Sequence, residues 1–167
     1  SDFVHLHLHT TYSLLDGQCQ AVPLVKKARK LGMPALAVTD HGNLFALKAF
    51  YDECRSKKGY DDLPPIKPIL GCEAYVTTSG DYRSRNKEEK RRHLILLAKN
   101  LTGYHNLVRL LSEAWINGFY HTARIDHTLL EKHHEGLICL SACLSAASCS
   151  KRRCRSPRRT LPRCHSY

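Results

Sequence analysis

The 167-residue sequence predicts an α/β domain whose strands run mainly parallel. Two observations carry that prediction. Short apolar runs of strand length alternate along the chain with longer stretches in helical period, the pattern of successive β–α units. Polar residues suited to chemistry, His7, His9, His41, Glu73 and Cys143, fall at or near the ends of those runs, where ligands gather in such folds. His93 opens its run instead, so it joins the others only through a loop or a strand of opposite direction.

Taken in order, Phe3 to His9 alternates in period two and reads as a strand with His5, His7 and His9 on one face. Thr10 to Gly17 is a loop. Pro23 opens a helical stretch carrying Leu24, Ala28 and Leu31, and Gly32 stops it. Residues 35–39 form a buried strand followed by Asp40-His41-Gly42. A second helix covers 43–57, with Leu44, Leu47, Phe50, Tyr51 and Cys54 on one stripe. A strand over 69–76 contains Glu73, 79–92 is a polar and basic loop, and His93 to Ala98 is a short strand. Asn106 to Ala114 is helical, with Thr102 placed to cap its start. A short helix over 126–134 and a fifth strand over 136–141 complete the body.

Composition bounds the function. Hydrophobic content of 43% and charged content of 25% suit one domain with a real core. No apolar run reaches the roughly 18 residues of a membrane span. Ser1-Asp2-Phe3-Val4 lacks the basic and apolar regions of a signal peptide, so the expected location is cytoplasmic. The net charge of +11 is concentrated in residues 145–167, which hold seven basic residues and no acid; residues 1–144 hold 19 basic against 15 acidic. Of eight cysteines, Cys19, Cys54, Cys72, Cys139 and Cys143 lie in the body without a CxxC pair. Buried free thiols, not a disulfide framework, are expected for most of them.

Two imidazoles at i and i+2 on one strand face can converge on a single metal ion. By itself that pair is weak evidence. Asp16 in a loop before Gly17, Asp40-His41 after a buried strand, and Glu73 within a strand strengthen it. A carboxylate can bridge two cations, and several metals packed together suit phosphoester hydrolysis. Plainer roles compete: Asp16 could stabilise its turn, Asp40 is expected to cap the following helix, and His5 is expected to be structural. His105, His121, His127, His133 and His134 read as surface or helix residues, and Arg83 to Arg92 as a solvated loop able to touch phosphates.

His7-Leu8-His9-Thr10 with Ser13, Thr39-Asp40-His41-Gly42-Asn43, and Glu73 resemble the first motifs of the PHP (polymerase and histidinol phosphatase) superfamily. Tyr12 to Gly17, Gly32 to Ala37, Lys67 to Gly71 and Thr102 to Leu107 resemble, more narrowly, the N-terminal PHP domain of bacterial DNA polymerase III alpha subunits. The resemblance spans about residues 3–144. It implies a distorted seven-stranded (β/α) barrel with up to three divalent metal ions, zinc or manganese. His7, His9 and Glu73 would share one ion, Glu73, His93 and Cys143 a second, and Asp16 and His41 would serve a third. It further implies a phosphoesterase or 3′–5′ exonuclease site. The parent would be a magnesium-dependent DNA polymerase whose partners are DNA and other replicase subunits.

The family pattern breaks after Cys143-Leu144, where a Gly- and Glu-containing segment and a later Gly-x-Asp-x-His motif are expected. Residues 145–167 are instead rich in Lys, Arg, Ser, Pro and Cys, a composition that predicts disorder. A shifted reading frame through Ala146 to Cys149 accounts for the break; a natural Arg/Ser-rich tail that binds nucleic acid is the alternative. The expected domain is therefore a truncated barrel of about five strands over 1–144, with an open sheet edge, incomplete metal binding and no polymerising carboxylates. Two other functions remain open at this point. One is a stand-alone phosphatase of the histidinol-phosphatase type, and the other is a structural module with a vestigial metal site.

Overall fold

The computed structural model describes residues 3–60 and 63–142; Cys143 and the basic tail lie outside them. The elements are α1 (Ala21–Lys30), β1 (Ala35–Val38), α2 (Leu47–Arg55), β2 (Lys67–Thr77), β3 (Arg91–Ala98), α3 (Leu101–Ile116), β4 (Phe119–Tyr120), β5 (Thr122–Ile125), α4 (His127–Lys132) and β6 (Leu137–Ser141). This is the mixed α/β arrangement expected, with one correction. The sheet is not mainly parallel. β1 and β5 run parallel to β2, whereas β3 is antiparallel to β2 and β6 antiparallel to β3. Among the described residues the order β4-β5-β2-β3-β6 leaves the sheet open, with β1 sharing the β5 edge of β2. Residues 78–90 between β2 and β3 form turns and bends with no helix, and the two strands return as an antiparallel hairpin.

The segment expected as a first strand is extended but irregular. His5 and Leu8 carbonyls accept from the Ala37 and Thr39 amides at 2.9 and 2.8 Å. Three residues therefore span what two span on β1, and this extra residue breaks the period-two reading. Conversely, β4 and β5 were not expected. Their short run hides its strand character because the inward side chain is an arginine: Arg124 is buried and donates to the carbonyls of Gly118 (3.1 Å) and Ser84 (2.5 Å). Thr102 does not cap α3. Asn100 does, accepting from the Gly103 amide at 2.9 Å, and the helix starts five residues earlier than its apolar periodicity indicates.

Alternation along β2 sorts side chains to two faces. Cys72, Ala74 and Val76 join Leu94, Leu96, Leu107, Leu110 and Ala114 in the core beneath α3. Glu73 and Tyr75 point to the other face with His93, which stands opposite Tyr75 in the register. Farther along that face, Ala37, Ile95 and Leu97 form a small cluster. A second core holds α1 and α2 together through Val25, Ala28, Phe50 and Cys54.

The first turn of α3 lies directly on Gly136. A Cβ on Gly103 would sit 1.8 Å from the Gly136 carbonyl oxygen, so backbone would have to move. Gly103→Ala is expected to destabilise the chain by about 3 kcal/mol, the upper end of ordinary overpacking costs. A drop in the urea midpoint measures it.

The thiols separate by burial. Burial pushes the Cys54 thiol up to about 12, partly offset by the nearby Arg29. Burial also raises Cys72, which donates to the Asp40 carbonyl. Cys19 is exposed. At pH 8 an alkylating reagent is therefore expected to modify Cys19 promptly, and Cys54 and Cys72 only on unfolding. Peptide mass mapping distinguishes the sites.

Candidate metal centre

Backbone pairing places the centre's parts before any side chain contributes. Beyond Val38 the chain stays paired to β2: the Glu73 amide donates to the Asp40 carbonyl (3.0 Å) and the Gly42 amide to the Glu73 carbonyl (2.9 Å). His41 is thus fixed beside Glu73 by a parallel bridge. A second bridge, Thr10 to Cys19, closes the loop that carries Asp16. That loop is tight, since a Cβ on Gly17 would lie 1.8 Å from the Thr10 carbonyl oxygen. Leu15 within it adopts φ 74°, a left-handed conformation that is costly for a branched side chain.

Asp40 holds this loop to β1. Its carboxylate accepts from the Thr10 amide, the Thr10 hydroxyl and the Ser13 hydroxyl, each at 2.7 Å. The expected helix cap is therefore corrected. α2 starts only at Leu47, and the turn that follows His41 carries the chain away before a cap could form. Ser13 gives its one hydrogen to Asp40 and accepts from the His41 amide at 3.1 Å. Its remaining contact, to His9 Nδ1 at 3.0 Å, is then a donation from the ring. That network assigns the proton of a neutral His9 to Nδ1 and leaves a lone pair on Nε2.

Glu73 is the hub, 1% exposed. Its Oε2 lies 2.8 Å from His7 Nε2 and 2.9 Å from His9 Nε2, and those two nitrogens lie 3.0 Å apart. Its Oε1 lies 2.7 Å from His93 Nδ1. His41 Nε2 faces the Asp16 carboxylate at 2.9 Å. If the ring donates there, Nδ1 bears a lone pair. That atom is buried without a hydrogen-bond partner and points toward Glu73 Oε2, 3.7 Å away. Tyr75 covers the His41 ring, stacked at 5.7 Å and 18°.

The electrostatics follow from this crowding. Burial by itself would raise the Glu73 carboxyl, but when the metal-free site carries a proton on the Nε2 atoms of His9 and His7, their hydrogen bonds and the charges of His7 and His93 outweigh it and hold the group at about 2. Burial lowers His41, helped by the neighbouring His9 and opposed by Glu73 and Asp16. A neutral His41 is the ligand form of imidazole.

Among the described residues, two sets of side chains could each hold a metal ion: His7, His9 and Glu73, and His41, Glu73 and His93, with Glu73 common to both. The donor atoms fit such an ion. Acceptors converge on one point, and an orphaned ring nitrogen points toward them. Six of the seven residues expected at the site, His7, His9, Asp16, His41, Glu73 and His93, come together, while Cys143 lies outside the described residues. His5 packs on Phe3 instead. The supporting roles of Asp40 and Tyr75 were not legible, because each acts through a contact made across the fold; Ser13 stood in the motif, but its role depends on Asp40 fixing its hydrogen.

The PHP domain family model matches residues 5–152. The chain belongs to the PHP domain family. Among its relatives, DNA polymerase III subunit alpha of Treponema pallidum is 50% identical over 145 residues, covering 86% of this chain and 12% of that protein. The corresponding protein of Chlamydia trachomatis is 48% identical over 148 residues, covering 87% of this chain and 11% of that protein. The chain thus spans about one-ninth of the length of these relatives. A solved structure from Bifidobacterium adolescentis, described as a metal-dependent phosphoesterase, aligns with a TM-score of 0.43 and 19% identity. That alignment covers 69% of this chain and 35% of the other. Among the described residues of this PHP chain, no helix is long and apolar enough to cross a membrane.

Proposed function

We propose that this PHP domain forms a divalent-metal phosphoesterase centre built around Glu73, acting on phosphodiesters of DNA. The observation that carries the reading is the convergence of His7 Nε2, His9 Nε2 and Glu73 Oε2 within 3.0 Å of one another. His9 has its proton held on the far nitrogen by Ser13, so its lone pair and the carboxylate oxygen face each other and repel unless a cation or proton lies between them.

His7, His9 and Glu73 would hold one ion and Glu73 with His93 a second, with Cys143 available to the second; the one lone pair of a neutral His41 would complete the second or, beside Asp16, serve a third. Imidazole and carboxylate donors suit zinc or manganese. A bound ion supplies a water acidified toward neutrality and polarises a phosphoryl oxygen. The chain's own residues fix the geometry. Asp40 and Ser13 set the His9 ring, Asp16 orients His41, and Tyr75 screens His41 from water. In the context of the longer relatives the centre would belong to a cytoplasmic, magnesium-dependent DNA polymerase that works with DNA and other replicase subunits. A 3′–5′ exonuclease is the corresponding activity.

Hydrolysis assays with added zinc or manganese test this. Release of nucleotides from a DNA 3′ end, and cleavage of bis(p-nitrophenyl) phosphate, are the expected results. Cleavage of phosphomonoesters alone would assign a small-molecule phosphatase. Metal binding without any hydrolysis would assign a structural role.

A further inference from the structure

We infer that four exposed aromatic side chains, Tyr12, Phe45, Trp115 and Phe119, form a base-stacking surface for single-stranded nucleic acid leading away from the metal centre. Their rings follow one another at centroid distances of 6.1, 6.5 and 5.3 Å; Tyr12 meets Phe45 edge-on at 67°, Phe45 is tilted 40° from Trp115, and the Trp115 and Phe119 planes are within 17° of parallel. All four are exposed, at 50%, 64%, 45% and 47% respectively, although burial of large aromatic rings is normally favourable. Phe45 and Trp115 also line a shallow groove of about 380 Å³.

Both ends of the strip are anchored to features that suit a polynucleotide. At one end, Tyr12 lies on the loop between His9 and Asp16, and its carbonyl accepts from Asn43 Nδ2 at 3.1 Å. Trp115 Nε1 donates to the Gly42 carbonyl at 2.8 Å, tying the middle of the strip to the residue after His41. At the other end, Gly118 packs on Tyr82, and Arg83 pairs with Glu113 at 3.2 Å. Arg83 belongs to an exposed, mainly basic segment with Arg85, Lys87, Lys90 and Arg91, interrupted by Glu88 and Glu89, that leads into His93. Aromatic faces beside a basic segment match the two halves of a nucleic acid strand, since bases stack and phosphates meet positive charge. This placement rests on the phosphoesterase reading for its direction, with the strip guiding a strand end to Glu73.

Trp115 is the single tryptophan of the chain, so its emission reports on the strip directly. The full chain is titrated with an oligothymidylate of roughly 8 nucleotides, within the usual range of single-strand sites. An abasic strand of equal length serves as the control. Quenching by the thymidylate, with at least about fivefold weaker binding by the abasic strand and by Phe45→Ala, is expected. Phe119→Ala replaces Phe45→Ala should the latter not fold. Equal affinity for both strands, an unchanged Kd in the folded variant, or no quenching would overturn the inference and leave the strip as a protein-docking surface. Equilibrium dialysis of the same samples against zinc or manganese separates the two claims. Quenching without bound metal removes the phosphoesterase reading alone, and metal without quenching removes the strip alone.

Discussion

Glu73→Gln is expected to abolish metal binding at both candidate positions, because Glu73 is the one residue common to them. Loss of an outer partner of a metal ligand typically costs about 10–100-fold in affinity, and loss of the bridging carboxylate should exceed that. Phosphodiester hydrolysis should fall with it. The same variant has a signature in the metal-free chain. The Glu73 carboxyl is lowered from 4.5 to about 2 in the folded state, and for a group so fully buried the difference corresponds to about 3 kcal/mol. A depressed carboxyl stabilises the fold above its unfolded value and loses that contribution as pH falls through its folded value. The stability gap between the native chain and Glu73→Gln should therefore shrink as pH falls from about 5 toward 2. Urea unfolding in chelator across that range measures it. A gap that does not change with pH would mean that the imidazoles do not hold the carboxylate in the folded chain.

Asp40→Ala is expected to damage both stability and metal affinity although Asp40 touches no candidate ion position. Its removal leaves the Thr10 amide, the Thr10 hydroxyl and the Ser13 hydroxyl without their acceptor in a buried setting. Each such group costs about 1–3 kcal/mol, so a loss of at least about 3 kcal/mol is expected after partial relaxation. Ser13 then no longer fixes the Nδ1 proton of His9, and zinc affinity should fall about 10–100-fold, as for other partners of ligating histidines. Ser13→Ala separates the effects, since it should lower metal affinity with a smaller stability loss. Calorimetric titration with zinc, combined with unfolding curves of both variants, provides the measurement. Unchanged affinity in a folded Asp40→Ala chain would show that His9 is oriented by other contacts.

Sequence patterning reached the helices, the strands that carry Glu73 and His93, and most of the side chains at the centre. Strand direction escaped it. Alternation of apolar runs indicates that strands exist, yet a connection over residues 78–90 permits either direction, and the hairpin between β2 and β3 is a matter of pairing. That antiparallel return brings His93, the third residue of β3, to the level of Tyr75, and so resolves the mismatch its position posed. β5 was hidden because a buried arginine does not look like a core residue until its backbone acceptors are seen. Asp40 was read as a cap from its local setting, whereas its three donors come from residues about thirty positions earlier. Local signals identify ligand types well; partners across the fold appear only once the strands are registered.

The most direct test of the central claim is anomalous diffraction from crystals of the full chain grown with zinc or manganese. The predicted result is a peak bonded to His7, His9 and Glu73 at roughly 2.0–2.2 Å, with a second between Glu73 and His93. Anomalous density only at other residues, or an ordered His7–His9–Glu73 cluster with no peak at saturating metal, would contradict it.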